Sequence, residues 1–599
     1  MNHVAHTITH LSEDQQEAHQ RPLDSGIIRR LFHYTSPYAT RRTWLVAIVV
    51  VRAIQLPSLT AAIAATIKGP IQSGDTTGVT WAVAGFLALA ASTQIVAHFR
   101  QRLALELGEN IVYDLRNELF VHLQRLQMSF YNRTKLGRII SRLTSDVENV
   151  RIGVQEVLFI GLVQIGQLLT AALFMLWYDW VLFLVVLALA PVLWGVNHHF
   201  RRKLSQAHRN VQESFSRVTA TLAESINGIR TTQAYGRQAK NSELFRDLAK
   251  DHAANHYAIA NIHGRLLPLL DMNSQIFITV LLILGGYRVL NPTIDASLGD
   301  LIGFFLMAGL FFGPLTVMGS LYTQALTSMA AAERVFRLLD TTPDWEDPPT
   351  AVAVPSVRGE VEFRNVSFEY LPGTQVLHDI SFTAKPGQTV ALVGHTGSGK
   401  TTITNLIAKF YLSTSGLVLV DGRDLLQCQT ESWQRQLGIM VQQSFLFAGT
   451  VLENIRFSCP QASDQDVFDA AKQLNCLNIF QQLPNGFQTQ VGERGGNLSL
   501  GQRQLVCFAR SLLSDPQIVI LDEASSSVDT LTEMHLQYAL RRLLQGRTSF
   551  VVAHRLSTIR ESDQILVLDQ GQIVERGNHT ELLSQQGTYR NLYQRFLSG

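Results

Sequence analysis

Between residues 157 and 197 the chain carries a single charged side chain, Asp179. A helix of a soluble protein keeps one face in water and so cannot stay uncharged for that long. Split at Asp179, the run becomes two segments, 157–178 and 180–197. Each is close to the 20 or so apolar residues that a bilayer core requires. Four more stretches of this kind follow the same rule. They lie at 44–67, with Arg52 as its only charge, at 81–99, at 266–287 with Asp271 inside, and at 301–329. Six membrane-spanning helices are expected over residues 44–337.

The whole-chain averages do not fit spans alone. Of 599 residues, 46% are hydrophobic and 16% charged, and the mean hydropathy is +0.10. That charge content lies below the roughly 25% of a soluble domain, yet the hydropathy is too mild for a chain made only of spans. At about 150 residues per domain, the length leaves room for a second, polar part. The formal net charge of +2 offers no electrostatic footprint for nucleic acid. Cys428, Cys459, Cys476 and Cys507 form no CxxC pair, so neither a zinc site nor a disulfide framework is expected, and a reducing compartment is.

Charge placement orients the spans. Arg29, Arg30, Arg41 and Arg42 precede the first, the 100–151 segment is rich in Arg, and Arg201, Arg202 and Lys203 follow the fourth. The connections on the other side hold Lys68, Asp75, Asp179, Arg288, Asp295 and Asp300. Basic connections stay in the cytoplasm, which puts both chain ends there. The first 43 residues, polar and without a signal-peptide pattern, read as a cytoplasmic tail whose scattered His3, His6, His10 and His19 are solvated. The two basic connections are long and helical in pattern, with Ile111, Leu115, Leu119, Val121 and Leu123 approximating one helical face. They are expected to prolong spans two to five into the cytoplasm as rods, turning near 134–138 and 227–237.

From 338 to 358 the composition changes. Pro343, Pro348, Pro349 and Pro355 stand among Asp340, Asp344, Glu346 and Asp347. Proline stops helices and stiffens connectors, so this is read as a linker. Residues 359–599 then alternate short β-rich runs with helical stretches, the pattern of an α/β domain.

Within that domain, Gly394, His395, Thr396, Gly397, Ser398, Gly399, Lys400 and Thr401 follow an apolar strand and precede a helix that begins near Thr402. This is a phosphate-binding loop in its required setting. Glycines let backbone N–H groups curl around anionic oxygens, and the helix N-terminus adds positive potential. Lys400 suits the outer phosphates and the Thr401 hydroxyl suits Mg²⁺. Further on, Ile518 to Leu521 form an apolar strand that ends in Asp522 and Glu523. Carboxylates at the C-terminal end of a parallel strand stand where such sheets bind ligands. Asp522 suits Mg²⁺ held through water, and Glu523 suits a general base.

Between these motifs lies Leu498-Ser499-Leu500-Gly501-Gln502. With the phosphate loop and the acidic pair, it resembles the signature of the ATP-binding cassette (ABC) superfamily. The resemblance covers nearly the whole chain and is closest to the half-transporter exporters, which include lipid flippases and multidrug exporters. It implies an adenine-stacking role for Tyr370, a Mg²⁺- and water-sensing role for Gln442, and a γ-phosphate switch at His554. It also implies a pre-signature loop at Gly492, Glu493, Arg494 and Gly495, and a D-loop at residues 525–529 ending in Asp529. Ser499, Gly501 and Gln502 would cap ATP bound to another chain. Residues 128–146 and 224–229 resemble the intracellular loops that carry motion to the spans. Leu500 departs from the family glycine and adds bulk. With Ser499, Gly501 and Gln502 retained, the signature is expected to tolerate it.

The expected fold is therefore a multidomain membrane protein. An all-α six-helix transmembrane domain with long cytoplasmic helical extensions (44–337) precedes an α/β P-loop nucleotide-binding domain (359–599). One chain supplies half of each site, so the resemblance implies a dimer with a second half-transporter subunit, a homodimer by preference, with a heterodimer left open by Leu500. The implied function is ATP- and Mg²⁺-dependent export or flipping of hydrophobic or amphipathic compounds, drugs or lipids, across the cytoplasmic membrane. An importer of iron chelates on the same fold and an ATP-gated channel or regulator are the alternatives. Arg52, Gln55, Gln94, Gln164, Gln167, Asp271, Asn273 and Gln275 are the polar residues in the spans that are candidates to face a cargo cavity.

Overall fold

A computed structural model describes residues 25–291, 297–442, 444–522, 530–553 and 556–598. It divides into two compact units. One holds Met1–Gln124 with Gly137–Thr341, and the other holds Arg125–Leu136 with Thr342–Gly599.

The first unit is helical. Its long rods are α1 (Ala39–Thr66), α2 (Thr76–Arg125), α3 (Phe159–Tyr178), α4 (Trp180–Asn227), α5 (Gln238–Leu290) and α6 (Leu298–Leu339). At about 1.5 Å per residue, α2 with its 50 residues is more than twice as long as a bilayer core of about 30 Å. Among the described residues, four helical runs are long and apolar enough to cross a membrane: Ser36–Ile71, Thr76–Arg125, Leu136–Tyr178 and Leu298–Leu339. The fourth and fifth expected spans fall on α4 and α5, which run through residues whose side chains are not among those described. Part of α5, Gln275–Leu290, is a shorter apolar helix.

Small residues let these rods approach. A Cβ on Gly166 would lie 2.6 Å from Ala53 Cβ, and one on Gly303 would lie 2.8 Å from Ala64 Cβ. Close backbone approach of this kind is how helices pack where lipid removes the hydrophobic drive. Charges at the short connections neutralise each other. Asp179 caps α4 by accepting from the Val181 and Leu182 amides and pairs with Arg288 at 2.7 Å. Asp300, in a capping box with Ser297 at the start of α6, pairs with Lys68 at 2.9 Å. Deeper in the unit, buried Asp146 accepts from Arg142 at 2.6 Å and also pairs with Arg334 of α6.

Several polar residues of the spans bond to neighbouring helices. Arg52 donates to the Thr93 carbonyl at 2.7 Å, Gln55 to Ser92 Oγ at 3.2 Å, and buried Gln167 to the Leu310 carbonyl at 3.2 Å. Gln164 is half-buried, and Gln94 and Gln275 are exposed. The side chains of Asp271 and Asn273 lie outside the described residues.

The second unit is an α/β cassette. Its strands are β1 (Val361–Leu371), β2 (Thr374–Ala384), β3 (Thr389–Gly394), β4 (Ser415–Val420), β5 (Arg423–Asp424), β6 (Leu437–Met440), β7 (Gly449–Thr450), β8 (Gln490–Val491), β9 (Ile518–Asp522), β10 (Thr548–Val552), β11 (Gln564–Asp569) and β12 (Gln572–Gly577). Among the described residues, one sheet runs β12-β11-β3-β10-β9-β6 and a second runs β2-β1-β4-β5. In the first sheet the strands from β11 to β6 are parallel, and β12 closes one edge antiparallel. Their sequences explain this. β3 and β9 are unbroken apolar runs, buried along nearly their whole length, as parallel strands covered on both faces must be. By contrast, β12 carries Gln572, Glu575 and Arg576 and alternates exposed with half-buried positions. In the second sheet, Phe363 and Phe382 face each other across β1 and β2 with rings stacked at 4.6 Å. The short helix Met128–Arg133 belongs to this unit, although the chain before Arg125 and after Leu136 belongs to the other.

Candidate active site

The sheet order brings the chemistry to one end of its central strands. β10 pairs with β3 on one side and with β9 on the other, in register at Leu392, Val552 and Asp522. The loop after β3 and the carboxylate ending β9 therefore meet at the carboxyl ends of the two parallel strands that flank β10, the usual ligand crevice of such sheets.

Gly394 ends β3 with φ +157°, and a Cβ there would lie 2.2 Å from the Leu568 carbonyl oxygen of β11. No side chain fits that approach. Gly399 caps helix α7 (Lys400–Ile407) at φ +100°, a left-handed conformation that costs glycine little. Between them His395, Thr396 and Gly397 are exposed, whereas Ser398 and Lys400 are buried. Lys400 Nζ donates to the Gly394 carbonyl at 2.9 Å and the His395 carbonyl at 2.7 Å. Burial lowers the pKa of this ammonium below the ordinary lysine value, and nearby Asp522 opposes that only in part. A desolvated cation of this kind, at a helix N-terminus, favours a polyphosphate over water.

Thr401 Oγ1 and Asp522 Oδ2 lie 3.4 Å apart. Two hard oxygen ligands at that spacing beside a phosphate loop fit Mg²⁺, which takes a few protein oxygens and completes its shell with water and phosphate. Gln442, exposed just past β6, lines a cavity of about 980 Å³ that Asp522 also lines. Glu523, His554 and Asp529 lie outside the described residues, as does the rest of 525–529.

Tyr370 is half-buried near the end of β1. Its hydroxyl lies 3.1 Å from Thr402 Oγ1 and accepts from Asn405 Nδ2 at 3.3 Å, both on α7. Its ring stands perpendicular to that of Tyr411, with centroids 5.0 Å apart. The helix Met128–Arg133 reaches this pair. Asn132 donates to the Tyr411 hydroxyl at 2.7 Å and Arg133 to the Tyr370 carbonyl at 2.8 Å. Sequence reasoning did not single out Asn132, Arg133 or Tyr411, because no local motif marks a contact between residues 279 positions apart.

The signature region shows the backbone setting of Leu500. Ser499 caps helix α8 (Leu500–Leu513), with its Oγ accepting from the Gln502 amide at 3.2 Å, while Gln502 Oε1 accepts from the Ser499 amide at 2.9 Å. Leu500 is the first helical residue, Gly501 is buried and Ser499 is exposed. Leucine is at ease at a helix start, and glycine, which costs about 1 kcal/mol in a helix interior, costs no more than that here. Leu500 thus carries no backbone strain. Leu500→Gly is expected to leave the steady-state ATPase rate within about twofold and to lower stability by up to about 1 kcal/mol. A parallel kinetic and thermal-melt comparison measures both. A gain of tenfold or more in rate would show that the leucine obstructs the site.

Comparison with known proteins agrees with this geometry. Residues 44–315 match the family described as ABC transporter transmembrane region, and residues 377–526 match the family described as ABC transporter. An ATP-dependent lipid A-core flippase from Syntrophus aciditrophicus is 33% identical, over 95% of this chain and 94% of its own length. The chain belongs to the ABC transporter family. A fatty acid ABC transporter ATP-binding/permease protein from Mycobacterium bovis is 35% identical over 87% of this chain and 82% of its own. A probable multidrug resistance ABC transporter from Bacillus subtilis is 36% identical over 83% and 74%. This ABC transporter is accordingly a multi-pass membrane protein whose C-terminal cassette binds ATP and couples its hydrolysis to transport.

Proposed function

We propose that the chain is one half of an exporter or flippase that uses ATP to move hydrophobic or amphipathic compounds, lipids or drugs, out of the cytoplasmic leaflet or the cytoplasm. The observation that carries this reading is the meeting of Lys400, Thr401 and Asp522 at the carboxyl end of the central strands, in a chain that also holds the spanning helices. The lipid and drug relatives named above support the cargo class, and the Arg-rich connections support a cytoplasmic cassette in an inner membrane. The working division is a tail over 1–43, spans over 44–337, a linker over 338–358 and the cassette over 359–599.

In this reading Lys400 turns from its two carbonyls to the outer phosphates. Gly394 to Thr402 cradle them through backbone amides, and Tyr370 stacks on the base. Thr401, Asp522 and Gln442 would hold Mg²⁺, and the ion would supply positive charge to offset that of the phosphates. Glu523 takes a proton from the attacking water, and His554 contacts the γ-phosphate. Ser499, Gly501, Gln502 and Asp529 serve the ATP of a second half-transporter, so the working unit is a dimer, by preference of two copies. Alternating access then follows from the different ATP affinities of the two dimer states.

Inside-out vesicles containing this protein alone test the reading against its competitors. ATP-dependent accumulation of a lipophilic dye or a fluorescent phospholipid is the expected result. Uptake of a ferric chelate only into right-side-out vesicles would replace the exporter with an importer, and ATP-gated ionic current in a planar bilayer would replace it with a channel. Light-scattering mass in detergent distinguishes a dimer of this chain from a subunit that needs another partner.

A further inference from the structure

The linker is stitched to the cassette along much of its length. The Val352 amide donates to the Gln427 carbonyl at 2.8 Å, the Gln429 amide to the Val352 carbonyl at 2.9 Å, and the Val354 amide to Ser432 Oγ at 2.9 Å. Asp347 is the tightest stitch. It accepts from the Thr430 amide at 2.7 Å, from Thr430 Oγ1 at 2.6 Å and from Lys409 Nζ at 2.8 Å. Lys409 is 1% exposed, donates also to the Cys428 carbonyl at 2.5 Å, and stands 5.3 Å from the ring centre of Trp345. Burial alone would raise the pKa of the Asp347 carboxyl, but the bonds from Lys409 and Thr430 outweigh it and keep it below the ordinary value.

The same stretch of linker holds the helix Met128–Arg133. Gln127 Nε2 donates to the Trp345 carbonyl at 2.5 Å and Gln127 Oε1 accepts from the Asp344 amide at 2.9 Å, while Ser129 donates to the Asp344 carboxylate. Lys409 lies two residues past the end of α7, in a left-handed backbone conformation at φ +54°. Tyr411, two residues further on, holds Asn132 at the other end of the short helix. The exit of the phosphate-loop helix thus grips this turn at both ends, at one end through Tyr411 and at the other through Lys409, Asp347 and the linker.

We propose that Lys409 and Asp347 are positioning residues that make the linker a strap, fixing the first intracellular turn to the exit of α7 so that ATP-driven movement of α7 reaches the turn without slack. A buried charge held by one carboxylate, one carbonyl and one ring has a single low-energy arrangement, which is what a stiff link needs. The proposal rests on the reading of α7 as the ATP-binding helix.

Hydrogen exchange on the full-length protein in lipid nanodiscs tests it, with and without Mg-ATP and vanadate. In the unmodified protein, exchange across residues 127–136 is expected to slow by about tenfold or more with nucleotide. In Lys409→Met and in Gln127→Ala, that nucleotide-dependent slowing is expected to shrink to about twofold or less. Protection of β3, β9 and β10 and the affinity for a fluorescent ATP analogue should stay within about twofold in both variants. Gln127→Ala removes two bonds between turn and linker without exposing a buried charge, so it remains informative if Lys409→Met folds poorly. Unchanged slowing in Gln127→Ala overturns the proposal. So does a uniform loss of protection through the central sheet in both variants, which marks a purely structural role. Nucleotide binding by the unmodified protein with no response at 127–136 also overturns the strap and leaves the ATP site standing. Failure to bind nucleotide at all removes the reading beneath it.

Discussion

Lys400→Met should lower ATP hydrolysis by about 10² to 10³-fold, the usual cost of removing a preorganised electrostatic contact to charge that develops in the reaction. The cassette should stay folded. Lys400 Nζ is tied to the Gly394 and His395 carbonyls, and methionine has a stem of similar length but no donor. Leaving these part-buried carbonyls unpaired costs less than the about 1–3 kcal/mol of fully buried ones, since water reaches them. Relief of the desolvated charge, already visible as the lowered Lys400 pKa, offsets part of that. Phosphate affinity has no such compensation, because at the N-terminus of α7 no described lysine other than Lys400 bonds to the loop carbonyls. Steady-state ATPase, nucleotide binding and a thermal melt on one preparation separate the two effects. A rate within tenfold of the unmodified protein would take Lys400 out of the site.

Glu523→Gln should have the second large effect, with a different signature. General-base removal slows the chemical step by about 10² to 10⁴-fold. Binding should barely change, since the groups proposed to hold the nucleotide and its metal are Lys400, Thr401 and Asp522, and Asp522 ends β9 one position before Glu523 in the sequence. An interaction made only in the transition state lowers kcat and spares ground-state affinity. The variant should therefore bind ATP within about threefold of the unmodified protein and hold it unhydrolysed through many normal turnovers. Single-turnover hydrolysis and a filter-binding titration read the two quantities. Normal turnover would remove Glu523 as the base, whereas lost binding would assign it to Mg²⁺ coordination instead.

Features whose chemistry lies in consecutive residues were legible. The loop from Gly394 to Thr401 needs eight positions in a row, and its setting between an apolar strand and a helix is local too. The uncharged runs behave likewise, since exclusion from water is a property of each segment taken alone. The rods were read correctly as long helices, but the first turn was expected at 134–138. Instead the chain breaks after Arg125 and inserts Met128–Arg133 as a separate helix, with extended backbone at Gln127 and Thr134. The polar membrane residues were ambiguous as they stood. Arg52, Gln55 and Gln167 each bond a neighbouring helix, a choice that depends on which helix stands opposite. In the sequence Leu500 departs from the family glycine and adds bulk that the signature is expected to tolerate. The structure makes it an ordinary first-turn leucine, because the cap falls on Ser499.

By itself the sequence determined that this chain has a lipid-facing half and a nucleotide-binding half, because hydropathy and the phosphate loop are written in contiguous residues. Only the tertiary structure decided what those halves do to each residue. It put β10 between β3 and β9, so that Thr401 meets Asp522 across 121 positions. It paired Asp179 with Arg288 and Lys68 with Asp300, and it buried Lys409 against Asp347. It also drew Arg125–Leu136 into the cassette unit, where Asn132 and Arg133 hold Tyr411 and Tyr370. Such contacts depend on the summed packing of distant segments, and a polar side chain in a sequence carries no mark of the partner that folding brings to it.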